Sequence, residues 1–204
     1  MALILSALVF SLASNLDNVV VGIAYGIKQI RIGIIANIII GIVTSTGTFL
    51  SMSIGVYISK LLPHAIANGL GAAVIIILGV YFVTQSIIKL VNNIKSKELA
   101  LKNITDMFEY AEKSDLDNSG DISMKEALLI AFGLTFNNLG TGVAASITGV
   151  NIQLTVISTF ILSILTIIFG EALGNHVLGK LLGKYAPLFS GLLLIILGII
   201  EFLN

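Results

Sequence analysis

Two short stretches carry the side chains that could do chemistry. The first is a pair of polar clusters inside otherwise oily runs: Asp17-Asn18, with Ser14 and Asn15 just before them, and Asn137-Asn138. Carboxylate and amide oxygens are hard donors, suited to hard or borderline divalent cations. An aspartate at the centre of a membrane helix costs about 2.5–3.5 kcal/mol on insertion scales, so one that persists there is a functional candidate. The competing reading is interhelical hydrogen bonding, which Asn and Ser provide in many helix bundles. The second stretch is "DLDNSGDISMKE", Asp115 to Glu126. It follows the twelve-position calcium loop of EF-hands. Asp115, Asp117 and Ser119 stand at positions 1, 3 and 5, Gly120 at the sharp turn, and Asp121 at the position that lends a backbone carbonyl. Ser123 and Glu126 stand at positions 9 and 12. Ca2+, or Mn2+ or Mg2+, is the expected occupant. The plainer alternative is a solvated turn closed by a Ser-x-x-Glu capping box at Ser123 and Glu126.

The elements that must position these groups are membrane spans. The chain has 204 residues, 56% hydrophobic and 11% charged, against about 25% charged in a soluble domain. That composition cannot cover a soluble surface. The zero net charge gives no case for nucleic-acid binding. The absence of cysteine excludes disulfides, zinc-thiolate sites and thiol catalysis. The first apolar run carries Asp17, has no basic n-region and exceeds signal-peptide length, so it is expected to be retained. A span needs about 20 apolar residues, and six candidates meet that: roughly 2–25, 33–58, 67–89, 126–148, 153–174 and 187–203.

The halves on either side of the polar segment resemble each other. "NLDNVVVGIA" matches "TFNNLGTGVA" at an offset of 120, and "SKLLPHAIANGLGAAVIIILG" matches "GKLLGKYAPLFSGLLLIILG" at nearly the same offset. Three spans per half is an odd number, so the halves must be inverted across the membrane, as in many secondary transporters. The expected fold is an all-α polytopic membrane protein. It has six transmembrane helices as two inverted three-helix repeats, residues 1–89 and 126–204, joined by a linker over 90–125. Ten of the eleven Lys and Arg residues fall on one side, with Lys60 the exception. The positive-inside rule then puts the 90–125 linker in the cytoplasm and both termini outside a plasma membrane.

Other residues are weaker candidates. Thr44, in "TSTGT", offers a hydroxyl that could line a pathway or bond back to its own helix. Glu171, near the cytoplasmic end of the fifth span, could join a gate or reach the interface. His64 and His176 fall at loop ends and are expected to be solvated. The glycine pairs Gly22 and Gly26, Gly170 and Gly174, and Gly179 and Gly183 have the spacing that lets helix backbones approach. An intramembrane enzyme is not expected: one acidic residue lies deep in the spans, so no aspartyl dyad forms, and there is no His-Glu-x-x-His.

With these motifs in hand, the chain resembles the manganese efflux pump (MntP-type) family, in the lysine-exporter-like superfamily. Within it, the chain is most similar to the YtaF-type branch of sporulation membrane proteins. "SNLDNVVVGIAYG", "LTFNNLGTGVAAS" and "GKYAPLFSGLLLIILGI" carry the resemblance, together with the Asp-rich loop before the fourth span. It implies six helices with metal-binding carboxylates in the first and fourth. Asp17 matches the first carboxylate, Asn137 stands where the family has the second, and Thr44 where the manganese pumps have an acidic residue. The implied function is efflux of a divalent cation such as Mn2+. Asp17 would be the ion ligand, Asn18, Asn137 and Asn138 would supply neutral oxygens, and the 115–126 loop would be a cytoplasmic metal-binding element. The alternative is a membrane scaffold or metal sensor used in sporulation. Expected partners are metal ions and the lipid bilayer; the sequence leaves a homo-oligomer open.

Overall fold

The computed structural model describes residues 2–61, 63–92, 114–117, 119–174 and 177–203. They form seven helices: α1 Ala2–Ser14, α2 Leu16–Lys28, α3 Ile34–Ser59, α4 His64–Asn92, α5 Met124–Ile147, α6 Ile152–Gly174 and α7 Val177–Leu203. Among the described residues, four segments are long and apolar enough to cross a membrane: Ile4–Lys28, Ile34–Ser59, Gly69–Ile88 and Ile152–Gly174. The bent α5 makes a fifth if its two parts count as one span. The apolar part of α7, Leu188–Leu203, is shorter, although the helix itself starts about ten residues before the expected boundary. Residues 93–113 of the linker, with most of its lysines, and His176 lie outside the described residues.

The bundle is oily outside and polar inside. On α3 the buried face runs Asn37, Gly41, Thr44, Thr48, Ser51 and Gly55, at the three- and four-residue spacing of one helix face. Ile42, Phe49, Leu50 and Ile54 point outward and are about half exposed. On α6 the buried face is Thr155, Thr159, Ser163, Thr166, Gly170 and Gly174, opposite the exposed Ile157, Ile161, Leu165 and Phe169. A lipid solvent explains the pattern. Outward apolar groups cost nothing there, whereas small and hydroxylated residues let helices approach and find partners.

Three long seams hold the bundle: α2 and α1 along α6, α3 along α5, and α4 along α7. On the first, Gly22 faces Gly170 and Gly26 faces Gly174; a Cβ added at Gly22 would lie 2.5 Å from the Ile167 carbonyl oxygen. On the second, Gly142 meets Ser51 and Gly55 meets Ser146. On the third, a Cβ at Gly79 would lie 2.8 Å from the Gly191 carbonyl oxygen, and one at Gly191 equally close to that of Gly79.

Two of the helical spans are not straight. The first breaks at Asn15 between α1 and α2, with φ −106° and ψ 5°. The second, α5, bends by 48° between Phe136 and Asn138. Both irregularities fall at the polar clusters that the sequence singles out.

Candidate functional site

The break at Asn15 leaves the last carbonyls of α1 without their usual helical partners, which is costly inside a bilayer. Each of the last four finds a donor. Ser11 O accepts from Asn15 Nδ2 at 2.7 Å and from the Ser14 hydroxyl at 3.2 Å. Leu12 O accepts from the Asn15 backbone N–H at 3.2 Å. Ala13 O accepts from the Ser190 hydroxyl of α7 at 2.8 Å, and Ser14 O from Asn138 Nδ2 of α5 at 2.7 Å. The break is therefore a designed feature of the bundle interior, built by three helices.

α2 starts immediately after it, with Asp17 and Asn18 in its first turn. Both are buried, at 7% and 1% exposure. Asp17 Oδ1 accepts from the Asn18 backbone N–H at 2.9 Å, and the positive end of the α2 dipole favours a carboxylate at this place. Asn18 Nδ2 donates to Asn15 Oδ1 at 2.8 Å and to the Ser163 hydroxyl of α6 at 3.0 Å. Asn18 Oδ1 is buried with no hydrogen-bond partner among the described residues. Thr44 Oγ1 bonds back to Ile40 O at 2.8 Å and lies 3.3 Å from Ser163 Oγ.

Of the sequence-predicted residues, Asp17, Asn18, Asn138 and Thr44 thus converge around the break. Asn137 marks the bend in α5; its side chain is not among the described ones. Glu171 stands apart, two helical turns beyond Ser163 on α6. It is half-buried and faces the Ile32 backbone N–H and the Arg31 guanidinium in the connection between α2 and α3. Ser163 was not singled out by the sequence. One serine in "FILSILTIIFG" carries no signal of its own, and only its contacts with Asn18 and Thr44 reveal it.

The polar loop is a tight turn held by its own hydrogen bonds. Asp115 Oδ1 and Oδ2 accept from the Ser119 and Gly120 backbone N–H groups, both at 3.0 Å. Asp117 Oδ1 accepts from Ser119 N at 3.0 Å. The Ser119 side chain and then its backbone N–H hold the Asp117 carboxyl below its usual range. Ser119 Oγ donates to the Asp121 carbonyl at 2.8 Å. Gly120 has φ +78°, the left-handed conformation that glycine adopts without strain. Glu126 is only 2% exposed. Its oxygens accept from Leu116 N at 2.6 Å and Ser123 N at 2.8 Å, and Ser123 Oγ accepts from Glu126 N at 3.5 Å, so the capping box is present. One oxygen from each of Asp115, Asp117 and Glu126 lies within 4.8 Å of the others. That spacing fits a shared Ca2+, whose ligands lie at about 2.3–2.6 Å.

The loop is also tied to the first half of the chain. Arg31 N donates to Gly120 O at 2.9 Å and Ile122 N donates to Arg31 O at 2.9 Å, an isolated parallel bridge. Ile30, Ile32 and Ile122 are buried in one cluster with Tyr25, Ala127 and Ile130. The α2–α3 connection thus packs directly against the polar loop.

A family model described as "Putative manganese efflux pump" (MntP) matches residues 98–202. The chain belongs to the manganese efflux pump family. It is also similar to the "Probable sporulation protein YtaF" of Bacillus subtilis (strain 168), 29% identical over 207 residues, covering 95% of this chain and 97% of that protein. No solved structure matches. Family membership and the apolar helices make this a multi-pass membrane protein of a transporter family.

Proposed function

We propose that the protein moves a divalent cation, Mn2+ or an ion of similar hardness, out of the cell by alternating access of two inverted three-helix repeats. The observation that carries this reading is the broken first span, with a buried carboxylate at Asp17 and a bare buried acceptor at Asn18 Oδ1. Discontinuous helices with oxygen donors at the break are how many transporters hold ions near the midplane. Asp17 supplies the negative charge. Asn18, Asn138, Asn137 and Thr44 supply neutral oxygens, with Glu171 toward the far end of α6.

The seams support the inverted repeat. At an offset of 119 or 120, Gly22 against Gly170 is the counterpart of Gly142 against Ser51, and Gly26 against Gly174 that of Ser146 against Gly55. Gly79 against Gly191 joins the third helix of each half to the other. A two-fold relation between residues 1–89 and 126–204 demands that pattern. The sixth span of this scheme is the apolar part of α7.

The 115–126 loop, on the cytoplasmic side in this scheme, is the regulatory element. Asp115, Asp117 and Glu126 would hold Ca2+, or Mn2+ or Mg2+, by their carboxylates, with Ser119, Asp121 and Ser123 completing the shell. The bridge to Arg31 lies three residues past the end of α2, and Glu126 opens α5. A cation there bears on both helices that carry the polar clusters.

The deciding experiment is Mn2+ flux into proteoliposomes by the purified protein and by Asp17→Asn. Loss of at least about 30-fold is expected, the scale for stripping one partner from a buried charge interaction. Equal flux in both would remove Asp17 from the mechanism. A second reading, a scaffold or sensor in sporulation, draws on Asn137 and Thr44 standing where the family resemblance implies carboxylates. Unchanged metal content in cells lacking or overproducing the protein would favour it.

A further inference from the structure

We infer that Ser163 is a positioning residue of the ion site, holding the Asn18 amide so that Oδ1 stays open to the cation; this rests on the transport reading above. Ser11 O is a carbonyl and can only accept, so Asn15 must present Nδ2 to it. Asn15 Oδ1 then faces Asn18, which must answer with its own Nδ2. The second proton of that NH2 goes to Ser163 Oγ. Both donors of the Asn18 amide are thereby consumed, one by Asn15 at the break and one by α6, and Oδ1 is left as a fully buried acceptor with no donor among the described residues. Such an atom is expensive in a dry interior. A partly dehydrated divalent cation with hard-donor preferences is the ligand that satisfies it, one turn-residue from the Asp17 charge.

Ser163 occupies a special place for this task. At the repeat offset of 119 it is the counterpart of Thr44, and the two hydroxyls lie 3.3 Å apart, where the second helix of one half meets that of the other. Ser163 is fully buried and Thr44 nearly so. Thr44 gives its proton to Ile40 O at 2.8 Å, which leaves its oxygen as an acceptor for the Ser163 hydroxyl. The Ser163 oxygen remains free to receive Asn18. With Asn15 Oδ1 on one side and Ser163 Oγ, held against Thr44, on the other, the two acceptors together fix the aim of Asn18 Oδ1. Any relative movement of the halves changes this contact, so the aim of the ligand oxygen changes as access alternates.

The test is initial Mn2+ flux against Mn2+ concentration in proteoliposomes, for wild type, Ser163→Ala and Ser163→Thr, with melting temperatures measured alongside. Ser163→Ala should raise KM about fivefold, the scale of one lost hydrogen bond, while Vmax stays within about twofold because Asp17 is untouched. Ser163→Thr keeps the hydroxyl and should return KM toward wild type. If Ser163→Ala does not fold, Ser163→Cys, a weak acceptor of similar size, should show the same KM rise. An unchanged KM in Ser163→Ala would overturn the positioning role and leave cation transport standing. Equal losses of Vmax and melting temperature in the Ala and Thr variants would assign Ser163 to packing. Absence of Asp17-dependent Mn2+ flux in the wild type would overturn both readings.

Discussion

The intramembrane centre and the polar loop both gather oxygen atoms, but their hydrogen bonds are arranged in opposite ways. In the loop, both oxygens of Asp115 and both of Glu126 already receive backbone N–H groups. In the centre, the donors are used up in mending a broken helix, and an acceptor is left over at Asn18. The loop's carboxylates are thus held by its own backbone. In the centre, a buried oxygen without a donor is costly, and a cation would satisfy it. The two regions thus differ in what is matched: the loop's carboxylates have their donors, and the centre keeps one acceptor without any among the described residues.

The sharpest way to break the comparison is to separate the two sites by mutation. Asp17→Asn should abolish flux, as above, yet leave a calorimetric Ca2+ titration of the loop unchanged; loss of both signals would mean one site, not two. Next in size, Glu126→Gln should weaken loop binding of Ca2+ about tenfold or more by removing a charged ligand. It should also lower stability by about 1 kcal/mol through the weakened cap, read by thermal melting, with Mn2+ flux in Ca2+-free buffer kept.

These two variants target residues that the sequence exposes directly, and the reason is physical. An aspartate in an oily run and an Asp-x-Asp-x-Ser-Gly spacing stand out against their surroundings. The helix break at Asn15 does not, because it has neither Pro nor Gly; it is made by donors from Ser190 and Asn138, which lie far along the chain. The glycine pairs were legible as close-packing sites, but which pair faces which depends on how α2 meets α6. Thr44 could be read as lining or as back-bonded, and it is bonded back while touching Ser163. The Arg31 bridge left no mark either, since two backbone hydrogen bonds ask nothing of side-chain type.

Smaller effects sharpen the link between the regions. Arg31→Pro removes the N–H that serves Gly120 O and should cost about 1 kcal/mol of stability. Ca2+ should still bind, but its influence on Mn2+ flux should fade; an intact Ca2+ response would place the coupling in α5 alone. Smallest, Gly120→Ala forces a methyl group into φ +78° with open space around it. The expected cost is about 1 kcal/mol, seen as a few-fold weaker Ca2+ titration and little change in flux.

The bridge between Arg31 and Asp121 joins positions ninety residues apart. During synthesis, at about 5–20 residues per second, the turn after the first span waits several seconds for its partner strand to emerge. Helices α1 to α4 are therefore synthesised before that turn can be completed, and the arrival of the polar loop completes it. Assembly order is thus written into a contact of two hydrogen bonds. A ribosome-bound chain truncated before residue 120 should leave Arg31 open to proteases that the finished protein resists.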